Sequence, residues 1–195
     1  MDEKSVVKIF PIVCVGGSAG RFDAYVRLLQ NLPSDLGVDI VIVNHMRTVA
    51  TYLHELLTKH TTMPVELIKE RLDIQPNRLF VIPENRDLHI RGDEFRLKPI
   101  SKPRGWPNVI TVFLRSLTTN WDGQLIAVIV SGLDSDGAEA LCDIKEAGGI
   151  AFAQKPDTAT LPDMPESAIA SGCLDFILSP GEIAKEIKRI ANAGE

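Results

Sequence analysis

Continuous apolar runs rich in β-branched residues alternate along the chain with segments whose apolar residues recur at helical spacing. That is the pattern of buried parallel strands joined by crossover helices. Residues 8–15 predict a first strand that stops at Gly16. Residues 22–32, with Phe22, Tyr25, Val26, Leu28, Leu29 and Leu32 apolar, predict its helix. A strand over 38–44 and a helix over 51–59 follow. Shorter strands are read at 65–68 and 79–82, around a turn at 73–77. Two more, at 88–91 and 94–98, flank Gly92-Asp93 and suggest a small hairpin. The polar stretch 101–108, with two prolines and Trp106, reads as an exposed loop. Regular structure resumes with 109–117, a strand at 125–130, a helix over about 138–147, a strand at 149–153, a helix opening near Pro165, a strand at 174–178 and a last helix at 182–191. The class is α/β.

Composition narrows the picture. With 195 residues, 45% hydrophobic and 24% charged, the chain predicts a single domain over residues 1–195, large enough for a core that needs no staple. Cys14, Cys142 and Cys173 are odd in number, widely separated and never in a C-x-x-C pair. They predict small buried apolar residues in a reducing compartment rather than a disulfide framework or a zinc site. A net charge of −5 argues against nucleic-acid partners, whose affinity rests on Lys and Arg neutralising phosphates. The charged start Met1-Asp2-Glu3-Lys4 does not resemble a signal peptide, and no window reaches the ~18–20 apolar residues of a membrane span. The expected location is cytoplasmic, without membrane insertion.

In open parallel sheets ligands sit beyond the carboxyl ends of the strands, which directs attention to three segments. Gly16-Gly17-Ser18-Ala19-Gly20 follows the first predicted strand, His45 follows the second, and Ser131-Gly132-Leu133-Asp134-Ser135-Asp136-Gly137 follows the strand at 125–130. A serine, a histidine and an aspartate at one sheet edge are the parts of an acyl-transfer triad. The serine segment matches G-x-S-x-G, in which glycines let a strand turn sharply into a helix and expose the hydroxyl beside free N–H groups. A phosphate-binding turn or a plain tight junction is the alternative, although G-x-G-x-x-G and the P-loop both fail at the required offsets. The order Ser, His, Asp also departs from that of α/β-hydrolases. His54 and His60 read as structural, and no metal-binding histidine spacing occurs. Asp134 and Asp136 invite a rival reading, magnesium-dependent phosphoryl transfer, but the EF-hand pattern fails because Gly132 stands where its first aspartate belongs.

Taken together, Gly16 to Gly20, Asn44-His45-Met46, Phe80-Val81-Ile82-Pro83 with His89, Ser131 to Ala138, Ala147-Gly148-Gly149, Ala153-Gln154 and Met164 to Ile169 occur in the order found in the CheB-type chemotaxis receptor methylesterases. The chain resembles that family over nearly its whole length. The resemblance implies a three-layer α/β/α fold with a doubly wound, mostly parallel sheet. It also implies Ser18 as nucleophile, His45 as general base and acid, and Asp136 as the acid that orients the histidine. The activity implied is hydrolysis of glutamate γ-methyl esters, with deamidation of glutamines, on the helical cytoplasmic bundle of chemoreceptors.

The chemistry of those roles needs no family. Serine is a weak nucleophile at neutral pH, and histidine is the side chain whose ordinary pKa suits both taking its proton and returning it to departing methanol. Backbone N–H groups of Ala19, and secondarily Leu133, are the expected oxyanion donors. No metal or organic cofactor is called for.

Departures from the family pattern are Ala19 in place of a hydroxyl residue, Trp106-Pro107-Asn108 in place of a Pro-Ser-rich segment, and Asp163 in place of a small residue before Met164-Pro165. Only 15 residues precede Gly16, so no phospho-receiver domain is expected in cis, and a separate receiver or signalling protein becomes the regulatory partner to look for. The competing reading from another class is a catalytically weak or inactive binding module.

Overall fold

The computed structural model describes residues 9–44 and 52–194. Its main sheet is built from strands β1 (Ile12–Gly17), β2 (Asp39–Asn44), β3 (Val65–Leu67), β5 (Arg78–Val81), β8 (Leu125–Ile129), β9 (Ile150–Gln154) and β10 (Phe176–Leu178). The seven run in the order β10-β9-β8-β1-β2-β5-β3, with every neighbouring pair parallel. All six residues of β1 and all five of β8 are buried. Strands covered on both faces carry continuous apolar runs, which is why these segments are legible without alternation.

Helices α1 (Phe22–Leu29), α2 (Leu53–Leu57) and α6 (Pro180–Ala193) cover one face, and α3 (Val109–Asn120), α4 (Leu141–Glu146) and α5 (Asp163–Ala170) the other. The sheet therefore separates two cores. One packs Tyr25, Leu28, Leu57 and Ile183 against Val13, Val15, Ile40 and Ile42. The other packs Ile110, Phe113, Leu141 and Met164 against Cys14, Val41, Ala127 and Ile129. Alternate residues of one strand supply opposite cores, as the period of two requires. α6 begins with Pro180 at its first turn and with the Glu182 carboxylate accepting the Ser179 N–H at 3.0 Å, a start signal of the capping-box kind.

The predicted hairpin is present as β6 (Arg86–Arg91) and β7 (Glu94–Pro99), but it belongs to a three-stranded antiparallel sheet completed by β4 (Arg71–Asp73), a strand not foreseen. This small sheet leans on α3, with Phe95 between Phe80 and Phe113 at ring-centroid distances of 5.0 and 6.4 Å. The cysteine expectation needs correcting. Cys14 is a buried free thiol, whereas Cys142 on α4 and Cys173 ahead of β10 form a disulfide with Cα atoms 5.1 Å apart. Their separation of 31 residues hid the pairing, which arises because β9 and β10 are neighbours and bring α4 beside the end of α5.

No helix among the described residues is long and apolar enough to cross a membrane. β1 lies between β2 and β8, so chain connections leave it in both directions. The crevice beyond its carboxyl end is the position that such a reversal opens for ligands.

Candidate active site

Ser18 stands directly beyond β1 at that reversal and is 8% exposed. Its backbone is tied down on both sides: its N–H donates to the Ser131 carbonyl at 2.9 Å, and its own carbonyl accepts from Arg21 Nη1 at 2.7 Å. The turn that follows needs its glycine. Gly20 has φ of +70°, and a Cβ there would lie 2.8 Å from Thr160 Cβ and 2.9 Å from Ser131 Oγ, so both conformation and space exclude a side chain.

Asp136, 7% exposed, emerges beyond neighbouring β8. Its two oxygens accept the backbone N–H groups of Ile110 and Thr111 at 2.9 and 3.0 Å. Those are donors of the first turn of α3, which has no partners within its own helix. The carboxylate thus sits in the positive field of a helix N-terminus. The helix is α3, more than 20 residues upstream, and not the one that the Asp136 turn itself enters. Thr111 adds a third link, its Oγ1 accepting the Gly137 N–H at 2.9 Å. Asp134, on the same turn, accepts the Asp136 N–H on Oδ1 at 2.7 Å.

Of the predicted residues, Ser18, Ala19, Leu133 and Asp136 are brought to one sheet edge, on the ends of adjacent strands. β2 is described as far as Asn44, which lies opposite Gly17. His45, the next residue, lies outside the described residues. Among the described residues, the N–H groups of Ala19 and Leu133 meet no acceptor, whereas that of Gly132 is taken by the Leu161 carbonyl at 3.0 Å. Gly132 also has no room to be anything else. A Cβ there would collide with Met164 Sδ and come within 2.9 Å of Ser18 Cβ.

Sequence reasoning passed over the polar frame beneath this edge. Ser131 is fully buried, and its Oγ bonds the Ala19 carbonyl at 3.1 Å and both the carbonyl and N–H of Leu161, at 3.2 and 2.9 Å. Its N–H donates to Gln154 Oε1 at 3.0 Å, and Gln154 Nε2 donates to the Thr158 carbonyl, also at 3.0 Å. The serine turn, the end of β8, the end of β9 and the segment before α5 are thereby locked together. The available signal was positional: Ser131 and Gln154 are the first polar residues after uninterrupted apolar runs.

Cys14 lies in the core beneath the site, and burial, followed by the charge of Asp136, pushes its thiol well above the ordinary cysteine range. It stays protonated, and a protonated thiol is no nucleophile. No group of three or more His, Cys, Asp or Glu among the described residues is placed to hold a metal ion. An open cleft of about 550 Å³ adjoins the Asp136 turn, lined by Trp106, Asn108, Leu133, Asp134 and Asp136, though not by Ser18. Trp106 and Leu133 are 68% and 50% exposed there, a pair of large apolar groups left to water at the mouth of a polar site.

The sequence model of the CheB methylesterase family matches residues 13–187. A putative protein-glutamate methylesterase/protein-glutamine glutaminase of Leptospira interrogans is 32% identical over 184 residues, covering 93% of this chain and 95% of the relative. A protein-glutamate methylesterase/protein-glutamine glutaminase of Burkholderia orbicola is 31% identical over 185 residues, but there the chain spans only 55% of the relative. The Thermotoga maritima CheB methylesterase catalytic domain superposes with a TM-score of 0.83 over 92% of this chain and 97% of that one, at 24% identity, a likeness that speaks for the fold. A family match over most of the length, with relatives above 30% identity, places the chain in the CheB methylesterase family.

Proposed function

We propose that the chain is a cytoplasmic protein-glutamate methylesterase and glutamine glutaminase of chemotaxis adaptation, working through Ser18, His45 and Asp136 on the helical cytoplasmic bundle of chemoreceptors. The observation that carries this reading is the sheet edge itself. A buried serine on a rigid glycine turn and a buried aspartate on a helix N-terminus leave adjacent parallel strands, with two backbone N–H groups beside them that meet no acceptor among the described residues.

In this reading His45 takes the Ser18 proton as Oγ attacks the ester carbonyl of a glutamate side chain. The oxyanion that forms is stabilised by the N–H groups of Ala19 and Leu133, which are fixed before substrate arrives. Collapse of the tetrahedral species breaks the bond to the methoxy oxygen, and His45 returns the proton so that methanol leaves. Water, deprotonated by His45, then hydrolyses the acyl-enzyme to free glutamate and regenerates Ser18. With a glutamine substrate the departing group is ammonia. Asp136 holds the imidazole tautomer and stabilises the imidazolium.

Methanol release from a methylated receptor fragment is the decisive measurement. Ser18→Ala and His45→Ala should each lower turnover by about 10³–10⁶-fold, and the double variant little further, because such a pair acts as a unit. Turnover unchanged by Ser18→Ala removes the nucleophile, and absence of turnover in the unaltered protein, with receptor binding intact, turns the reading to a binding module.

A further inference from the structure

A second cleft, of about 620 Å³, lies on the small antiparallel sheet where β4, β7 and β6 meet the last turns of α3. Its walls carry Arg71, Arg91, Arg96 and Lys98 against a single carboxylate, Glu70, in a chain whose net charge is −5.

Strand register puts these cations on one face. Arg71 lies directly opposite Arg96, and Arg96 directly opposite His89. Directly opposed residues point to the same side of a sheet, so three nitrogen-bearing side chains stand abreast. Strands about 4.8 Å apart make that row about 10 Å long. Lys98 and Arg91 lie two residues along β7 and β6 and share the face. The other face, with Leu72, Leu88, Ile90 and Phe95, packs into the core. Like charges placed opposite each other across strands destabilise a sheet, and a basic row of this kind persists at a cost unless an anion relieves it.

The acids nearby relieve it only in part, although Asp87 stands directly opposite Lys98 and Glu94 directly opposite Arg91. Glu94 pairs with Arg96 through one terminal guanidinium nitrogen, and Arg96 Nε stays buried without an acceptor among the described residues. Asp87 is buried and accepts the Ser101 N–H at 2.8 Å, and Asp73 lies one row away, opposite Glu94. Arg71, Arg91 and Lys98 form no ion pair among the described residues. From α3, Ser116 accepts the Ile90 N–H on Oγ at 2.9 Å, which leaves its hydroxyl proton to donate. Burial and then Lys98 hold His89 below its ordinary pKa, with Asp87 opposing, so the row has a neutral ring at one end and permanent cations elsewhere.

We propose that this cleft binds a diphosphate group, free or carried by a nucleotide, with Arg71, Arg96 and Lys98 as its principal cations. Guanidinium forks match phosphate oxygens in pairs, and two of them side by side with a lysine suit linked phosphates better than a lone carboxylate. The site is separate from the candidate active site. Thr111 marks that end of α3 and Ser116 and Asn120 mark this one, an offset of about 8–14 Å at the helical rise of about 1.5 Å per residue. The proposal does not rest on the methylesterase reading.

Isothermal titration of the unaltered chain with inorganic pyrophosphate tests it. Saturable one-site binding is expected, weakened about tenfold or more by Arg71→Gln and by Lys98→Gln, since each removes a charge-assisted hydrogen bond to phosphate. Both residues are exposed, and circular dichroism confirms that the variants fold. Arg71→Lys should lose less than Arg71→Gln, and Lys185→Gln on α6 should lose nothing. Equal affinities for pyrophosphate and ADP assign the cleft to the phosphates alone, and tighter ADP assigns it to a nucleotide. Either result supports the site. No saturable binding of either at millimolar concentration, or binding that survives Arg71→Gln and Lys98→Gln undiminished, overturns it.

Discussion

Asp136 and Asp39 are both withdrawn from water, at 7% and 0% exposure, at opposite ends of one sheet. Asp136, beyond the carboxyl end of β8, has an N–H donor on each oxygen and a helix terminus behind them. Asp39 opens β2 at the other end, on the same side of the strand as Val41 and Val43, and neither of its oxygens has a partner among the described residues. Burial pushes its carboxyl well above the ordinary aspartate range. Identical side chains thus meet burial in two ways. Where donors are built around the group a negative charge is stabilised, and where burial leaves it without them the charged form is disfavoured. Architecture invested in a carboxylate coincides with the end of the sheet where the proposed reaction would use a charge.

Replacing Asp136 gives the largest expected effect. Asp136→Asn keeps the shape but gives up the charge and one of the two acceptors offered to α3. Turnover on a methylated receptor fragment should fall by up to about 10⁴-fold through the wrong histidine tautomer. A variant with normal turnover would leave Asp136 as a helix cap and nothing more, and the contrast with Asp39 would lose its functional meaning.

Next in size comes the Cys142–Cys173 bond, which has no part in the chemistry. It closes a loop of 31 residues, for which the chain-entropy account gives about 3–4 kcal/mol. Cys142→Ser should lower stability to urea by roughly that amount while leaving kcat near its original value. A collapse of kcat at unchanged stability would show that the frame of the site extends as far as α4.

The contrast between the two ends also explains what was legible in the sequence. Runs such as Ile12 to Val15 and Leu125 to Ile129 announce buried parallel strands because both of their faces need apolar residues, and the glycine and aspartate segments after them mark the edge proposed as the active site. β4 was not legible. Arg71-Leu72-Asp73 offers one apolar side chain, since an edge strand of a small sheet covers a core on one side only. Helix limits were overread where pattern outlasted structure, as at residues 30–32 after α1. The bonds of Asp136 to α3, of Ser131 to Leu161 and of Cys142 to Cys173 link residues 25–31 positions apart. No local period encodes such pairs, because the three-dimensional path of the chain decides them.

Asp39→Val should act on stability in the opposite direction to most core substitutions. Valine suits a strand interior and removes two buried polar atoms that have no partner among the described residues, so the variant should gain about 1–3 kcal/mol at neutral pH. The pH dependence has a definite sign. The folded-state pKa of Asp39 lies above its unfolded value of about 3.9. Between those values the native state holds a proton that the unfolded chain has released, so its contribution to stability falls as pH rises through that window. Urea midpoints measured from pH 4 upward should show this slope in the unaltered protein and its loss in Asp39→Val. A destabilised variant with an unchanged slope would mean that Asp39 has found donors after all, erasing its difference from Asp136.

The smallest effect is expected two residues away from the largest. Asp134 accepts the Asp136 N–H on Oδ1 at 2.7 Å, an Asx-type turn that fixes where the Asp136 carboxylate points. Asparagine can place an oxygen in the same position, so Asp134→Asn keeps the turn and gives up a charge at the rim of the Trp106 cleft. Turnover should change by no more than several-fold, equivalent to about 1 kcal/mol or less. Asp134→Ala loses the acceptor itself and leaves the Asp136 N–H without its turn partner, so it should cost more than Asp134→Asn. That order separates aiming from charge, because a residue acting through its charge would be damaged equally by both substitutions. Should Asp134→Asn prove as damaging as Asp136→Asn on the same methylated substrate, the acid that serves the histidine is Asp134, and Asp136 is left holding the first turn of α3.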